Sequence, residues 1–464
     1  MGRLAEAPAS RVVFRAMSLH TTIGRGARRR EGHPYPSVWL LLLICGIPAR
    51  AQEVAFSIRE SLENAAVQLH AGEAEAALHA LAHVAEAEPD NPWLWFYRGS
   101  AYLILQQPYR AMDAFDRSLA ILQKLNHPDR TLENLVRAAR DRARRQVFQV
   151  SLTLGPAYDS NVSFLGSGAA TLGLLAGKED GKFLARTRID FSPIEDGRNS
   201  LTLGLHAAHS WYFQIDEFDD QEYGGYVRYS RRLSNQWRGE VQYDYEYTLL
   251  DHKGFLSGNG ATCALRYTWS PGTTWISPLE SALFYRIDVR DYRYPVREAF
   301  NHDGLTHGVG MQQVWQVRPV PNWIWRVTTG YRFDYVWTEG TEFDRRNNNL
   351  HAGIQIPLIR PGSPDKYLIL PDKEMTLRFD ADWQSTRYRN VSLEDRDRDR
   401  RRDRITYLSL GVSQLLRDNP KEGRLVLHVV SEWTNAESNV ETRGRIHPFT
   451  YEKFVCGILL QWSW

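Results

Sequence analysis

Residues 451–464 read YEKFVCGILLQWSW. Every second position is apolar, at Phe454, Cys456, Ile458, Leu460, Trp462 and Trp464. In an extended chain successive side chains point to opposite faces, so a period of two puts all six on one side of a strand. A strand with one side for lipid and the other for a polar interior is the unit of a transmembrane β-barrel. The segment is expected to be the closing strand of such a barrel, facing lipid through these six residues. It must then pair with the first strand, because an open edge would leave backbone groups unsatisfied in lipid.

The same period recurs upstream. Trp323, Trp325, Val327, Thr329, Tyr331, Phe333, Tyr335 and Trp337 form one face, with Arg326, Arg332 and Asp334 opposite. Trp237, Val241, Tyr243, Tyr245 and Tyr247 alternate with Arg238, Glu240, Gln242, Asp244 and Glu246. Met375, Leu377, Phe379, Ala381 and Trp383 alternate with Arg378, Asp380 and Asp382. A soluble sandwich would have to bury all these aromatic faces against one another, whereas a barrel needs only lipid outside and water inside. The spacing predicts about fourteen antiparallel strands between residues 147 and 464, an even number as a bacterial barrel requires. The predicted connections alternate in length. Those at 159–181, 291–303, 388–403 and 436–450 are long, and those at 193–199, 233–236, 318–322 and 418–423 are short. Long connections are expected outside the cell and short ones in the periplasm. The stretch Ile359–Lys373 is long on the short side and is expected to be a loose turn, with a plug segment as the alternative.

Averages hide this pattern. The chain has 464 residues, 24% charged, a formal net charge of +2 and mean hydropathy −0.46, values typical of a soluble protein. The distinctive numbers are 22 Tyr, 15 Trp and 18 Phe, since amphipathic rings concentrate at membrane–water interfaces. A charge so close to neutral excludes a general nucleic-acid binder.

At the other end, Arg25, Arg28, Arg29 and Arg30 precede an apolar run from Val38 to Pro48 and then Ala49-Arg50-Ala51. The run is shorter than the roughly 20 residues of a spanning helix. The order of basic, apolar and small residues predicts a secretory signal over 1–51, with Met17 as an alternative start. Residues 52–146 are rich in Ala, Leu and Glu and read as helical. Ala65, Ala77 and Leu81 recur 34 positions later as Gly99, Ala111 and Phe115. That period and those small residues resemble the tetratricopeptide repeat, a helix–turn–helix unit. Arg98 and Gln68 depart from its pattern, which prefers Leu and an aromatic there. A helix over Thr131–Arg145 is expected to cap the pair. The fold class is therefore α+β in two domains: 52–146 all-α and tetratricopeptide-like, and 147–464 a transmembrane antiparallel barrel.

No catalytic, cofactor-binding or metal-ligating set is visible, and the chain is not expected to be an enzyme. His206 and His209 would point to opposite faces of a strand. Cys263 and Cys456 are expected on lipid-facing positions and not in a disulfide. The charged inner row includes Arg186, Arg188, Asp190, Arg228, Glu240, Asp244, Arg286, Asp288, Arg332, Asp334, Arg378 and Asp380. It is expected to pair across neighbouring strands and keep the interior small. The tract Glu394–Arg404, EDRDRDRRRDR, reads as a solvated surface loop. Tyr158-Asp159-Ser160-Asn161-Val162 reads as a turn sequence.

This last segment lies just after the first strand, between a tetratricopeptide-like region and about fourteen strands. Over residues 56–464 the arrangement resembles the surface lipoprotein assembly modifiers, the Slam proteins of Gram-negative bacteria. The resemblance implies an outer-membrane protein with its helical domain in the periplasm, helping lipoproteins or other cargo to the cell surface. Its implied partners are outer-membrane lipid, the barrel-assembly machinery, which reads an aromatic C-terminus, and lipoprotein cargo. The arrangement also resembles outer-membrane exporters of exopolysaccharide, which implies a polysaccharide cargo. A porin-like barrel of structural role is the third reading.

Overall fold

The computed structural model describes residues 48–125, 129–162, 178–270, 274–293, 302–320, 323–359, 374–392, 395, 397, 399–419, 423–441 and 449–464. Two compact units are present, one helical and one a barrel. The signal expected over 1–51 and the stretch 359–373 fall almost wholly outside these residues.

The helical unit contains α1 (Pro48–Ala71), α2 (Ala74–Ala87), α3 (Pro92–Ile104), α4 (Pro108–Lys124) and α5 (Arg130–Val147). Starts and stops follow local chemistry. Gly72 takes φ +81 between α1 and α2, a conformation that side chains with a Cβ rarely adopt. Asn91 accepts a hydrogen bond from the Trp93 N–H at 2.9 Å with Pro92 in the first turn, and Asp129 accepts from the N–H groups of Thr131 and Leu132. The positions related by 34 residues are all buried: Ala65, Ala77 and Leu81 in the first copy, Gly99, Ala111 and Phe115 in the second. Gly99 has a packing reason, because a Cβ there would stand 2.7 Å from a ring carbon of Phe115. No helix among the described residues is long and apolar enough to cross a membrane.

The second unit is a closed barrel of fourteen antiparallel strands, each paired with its sequence neighbours. The first five are β1 (Phe148–Asp159), β2 (Asp180–Glu195), β3 (Asn199–Tyr212), β4 (Asp220–Arg232) and β5 (Trp237–Leu250). Then come β6 (Lys253–Thr268), β7 (Ile276–Tyr292), β8 (Gly304–Val320), β9 (Trp323–Thr338) and β10 (Arg345–Pro357). The last four are β11 (Met375–Val391), β12 (Arg400–Asn419), β13 (Gly423–Ser438) and β14 (Tyr451–Ser463). β14 closes on β1, with Ser151 opposite Ser463 and Leu152 opposite Trp462. The α+β class and the fourteen-stranded barrel stand as the sequence predicts.

Several boundaries shift by a few residues from the sequence reading, two of them with a local reason. β6 starts at Lys253, because Asp251 and His252 at φ 48 and 58 make a two-residue turn after β5. That connection is the shortest on its side and breaks the expected rule of length. β12 starts at Arg400, so the second half of the 394–404 tract is strand and not loop.

The faces follow the predicted alternation. Leu205, Val241, Leu283, Met311, Leu350, Phe379, Leu410, Val429 and Ile458 stand exposed on the outer wall. A continuous apolar band of this kind has no counterpart on a soluble monomer and fits hydrocarbon. Aromatic pairs flank it: Trp462 and Trp464 stack at 5.5 Å at the chain-terminal end, and Tyr335 and Trp337 lie 4.2 Å apart at the other. The fold is that of an outer-membrane barrel. Cys263 and Cys456 are free and share the outward register of Val241 and Leu460.

Candidate functional site: the barrel interior

The inward row is charged as expected, but four of its Arg–Asp pairs lie within one strand and not across strands. Arg188 reaches Asp190 at 2.8 Å, Arg286 reaches Asp288 at 2.7 Å, Arg332 reaches Asp334 at 2.9 Å and Arg378 reaches Asp380 at 2.7 Å. Each pair lies two residues apart on one strand, along the same inner face. The cause is in the neighbouring strand. Asp190 is in register with Gly204, Asp288 with Gly260, Asp334 with Gly308 and Asp380 with Gly353. A Cβ on Gly260 or Gly353 would stand 2.7 Å from a carboxylate oxygen of Asp288 or Asp380. Beside three of these glycines the carboxylate leans across the empty place. At Gly204 the ring of Tyr226 takes the space and its hydroxyl donates to Asp190 at 2.6 Å. In the Arg378 pair the acid is recessed and the arginine head projects, with exposures of 5% and 59%.

Cross-strand pairing also occurs, as at His351 and Asp382, 2.7 Å apart between β10 and β11. Arg266 donates to Glu280 at 2.7 Å and lies 3.5 Å from Glu240, bridging β5, β6 and β7. His206 faces inward against Glu222, while His209 packs on Trp211 and Tyr223 outside, as the strand period requires. An inner recess lies between Asp244, Glu246, Arg286, Asp288 and Arg290. Its acids and bases are nearly balanced, so it selects no sign of charge.

The glycine register gives a direct test. Gly308→Ala should push Asp334 off Arg332 and destabilise the barrel by about 1–3 kcal/mol, as overpacking does. Gly258→Ala should cost less, because its nearest neighbour would be 3.8 Å away. Heat-dependent unfolding followed by gel mobility separates the two, and equal losses would remove the glycine–aspartate account.

The segment 158–162 is more than a turn. Asp159 is fully buried. It accepts from Lys453 Nζ at 2.8 Å, from Lys182 Nζ at 3.3 Å, from the Tyr212 hydroxyl at 3.0 Å and from the Asn161 N–H. Asn161 donates to the Glu452 carbonyl. Ser160 N–H donates to the Phe454 carbonyl, and Phe454 N–H donates to Ser160 Oγ at 2.8 Å. One short segment thus ties β14, β1, β2 and β3 at the end of the barrel opposite Phe148 and Trp464.

The connections at that end are also built and not merely solvated. Arg401 pairs with Asp403 at 2.8 Å and lies 3.4 Å from the ring centre of Phe449. Asp395 accepts from the N–H groups of Asp399 and Glu441, and Ser392 donates to Glu342 at 2.8 Å. These bonds link the connections after β9, β11 and β13. His302 stacks on Phe343 at 3.7 Å. Burial, with Arg345 and Arg401 nearby, lowers its pKa to about 4, so the ring is neutral at pH 7.

Among the described residues no group of three or more His, Cys, Asp or Glu is placed to hold a metal ion.

No protein-family model matches the chain, and no curated protein matches it. Solved structures with a similar barrel include a bacterial polysaccharide outer membrane secretin, at 10% identity and TM-score 0.37 over 68% of this chain and 98% of that one. CdiB from Acinetobacter baumannii is similar at 10% identity and TM-score 0.32, over 68% of this chain and 60% of that one. An anion-selective porin from Comamonas acidovorans is similar at 7% identity and TM-score 0.34, over 68% and 99%. Likenesses this remote extend to the barrel and no further.

Proposed function

We propose that this chain is an outer-membrane translocation protein of Gram-negative bacteria that moves lipoproteins to the cell surface, in the manner of the Slam proteins. The observation that carries the reading is an inner wall lined by paired side chains. Asp334, Asp380, Gln242, Asn347, Asp403 and Lys453 all face inward and are buried, which suits a gated conduit better than a standing diffusion pore. The helical unit lies in the periplasm on this reading and offers the cargo its first contact. The signal over 1–51 directs secretion, and no catalytic step is required of the chain.

A strain lacking the protein should lose surface exposure of a lipoprotein while its total amount is unchanged. Loss of secreted polysaccharide alone would replace this reading with polymer export. Orientation has its own test. Trypsin added to intact cells should cut at exposed Lys178 and spare exposed Lys124 in α4. Cleavage at Lys124 in intact cells would reverse the topology.

A further inference from the structure

The wall of the barrel has one interior break. Along β1 and β14, Val150 and Trp464 exchange two backbone bonds of 3.0 and 2.8 Å. The same kind of pair should recur at every second residue of an antiparallel ladder. Leu154 is paired with Leu460, and pairing resumes at Ala157 with Gly457 in unchanged register. The two pairs between them are missing. The reason is chemical. Pro156 has no N–H, so the Ile458 carbonyl facing it has no donor. That oxygen instead lies against Gly155, where no Cβ would fit. Irregularities in the other ladders lie near strand ends, as at Phe191/Ile194, Pro278/Glu280 and Val317/Val320.

The inner surface of β1 and β14 at the break differs from the strands that carry Arg-x-Asp pairs. The inward residues of β1 and β14 there are Gly155, Ala157, Val455, Gly457 and Leu459, flanked on β13 by His428, Val430 and Glu432 and on β2 by Lys182 and Leu184. The five on β1 and β14 are uncharged, whereas β2, β7, β9 and β11 carry an Arg and an Asp on that face. Outside the break lie Leu154, Ile458 and Leu460, exposed on the lipid side. An uncharged strip two strands wide therefore meets hydrocarbon where the ladder lacks a bond. Above it the Asp159 cluster holds the strands together, and below it the Val150–Trp464 pair does.

We propose that the β1–β14 seam is a lateral passage for an acyl chain, opening at Gly155–Pro156 and Ile458 to let a lipoprotein anchor pass from the interior into the bilayer. The proposal rests on the lipoprotein reading above. Parting the seam there breaks fewer hydrogen bonds than parting any intact ladder, and in lipid each broken bond is costly. An acyl chain also needs no polar partner on the way.

The test uses the whole protein with Cys263→Ser and Cys456→Ser. Thr153→Cys with Gln461→Cys places a pair across the seam, and Ser409→Cys with Glu432→Cys places one across β12–β13. Under oxidation, surface lipoprotein should fall to the level of a strain lacking the protein for the seam pair only, and reductant should restore it. Separately, Pro156→Leu supplies the missing N–H. It should raise the unfolding temperature and lower surface lipoprotein without any oxidant. Normal display from the oxidised seam pair, or from Pro156→Leu, while the deletion strain displays none, overturns the passage and leaves the lipoprotein reading intact. Normal display in the deletion strain removes that reading itself.

Discussion

Replacing Asp159 by alanine is expected to destabilise the barrel by about 3–5 kcal/mol, the range for removing one partner of a buried ion pair. The loss is large because Lys453 and Lys182 are left behind at 8% and 13% exposure without the carboxylate that both contact. The Tyr212 hydroxyl and the Asn161 N–H lose their acceptor in the same step. Asp159→Asn should be nearly as damaging, since it keeps the shape and drops the charge. Asp159→Ala combined with Lys453→Met should recover part of the loss. Urea unfolding in detergent or bilayer, read by gel mobility, measures all three. If the single alanine variant unfolds within error of the parent, the cluster does not hold the seam.

Leu427→Arg is the second large expected loss, at about 2–4 kcal/mol for a lipid-facing arginine near the bilayer midplane. Leu427 is opposite Leu460 and Gln414 on the outer register. Tyr331→Arg, also outward, should behave alike and lose in addition the bond that the Tyr331 hydroxyl donates to Asn348. Thr328→Arg, inward and beside a polar interior, should cost less. Similar damage from the inward and outward arginines would mean that the two faces are not lipid and interior.

What could be read in the sequence was whatever depends on period alone. Trp323 to Trp337 and Phe454 to Trp464 declare strand, face and solvent together, because an alternating apolar row has one use in a membrane. The 34-residue recurrence of Ala77 and Leu81 as Ala111 and Phe115 likewise marks the buried positions of the helices. The interior was less legible. Cross-strand ion pairs were expected, and same-strand Arg-x-Asp pairs are found. The signal was the glycine at Gly260, Gly308 or Gly353, but it has meaning only once the register sets it opposite an aspartate. Asp159 was read within its turn because its partners Lys182, Tyr212 and Lys453 are remote in sequence. The tract 394–404 reads as a loop because charge at every position leaves no apolar alternation. Past the lipid a strand has no need of one, and Arg401 packs on Phe449 there.

The closed topology also sets how the chain must fold. Thirteen of the fourteen ladders join strands adjacent in sequence, so each can form as a hairpin with far less chain to close than the barrel as a whole. Only the ladder between β1 and β14 joins segments from opposite ends of the barrel sequence. Its loop-closure entropy is the greatest, and contacts of such separation form slowly. Until it forms, both terminal strands present bare edges that any other strand can capture. The residues that tie the Tyr158–Asn161 segment to Glu452–Phe454 therefore bear on kinetics as well as on stability. They make the last-formed ladder hard to reopen once it has met, and a variant lacking them should accumulate as an unclosed sheet before it is ever seen as a weakened barrel.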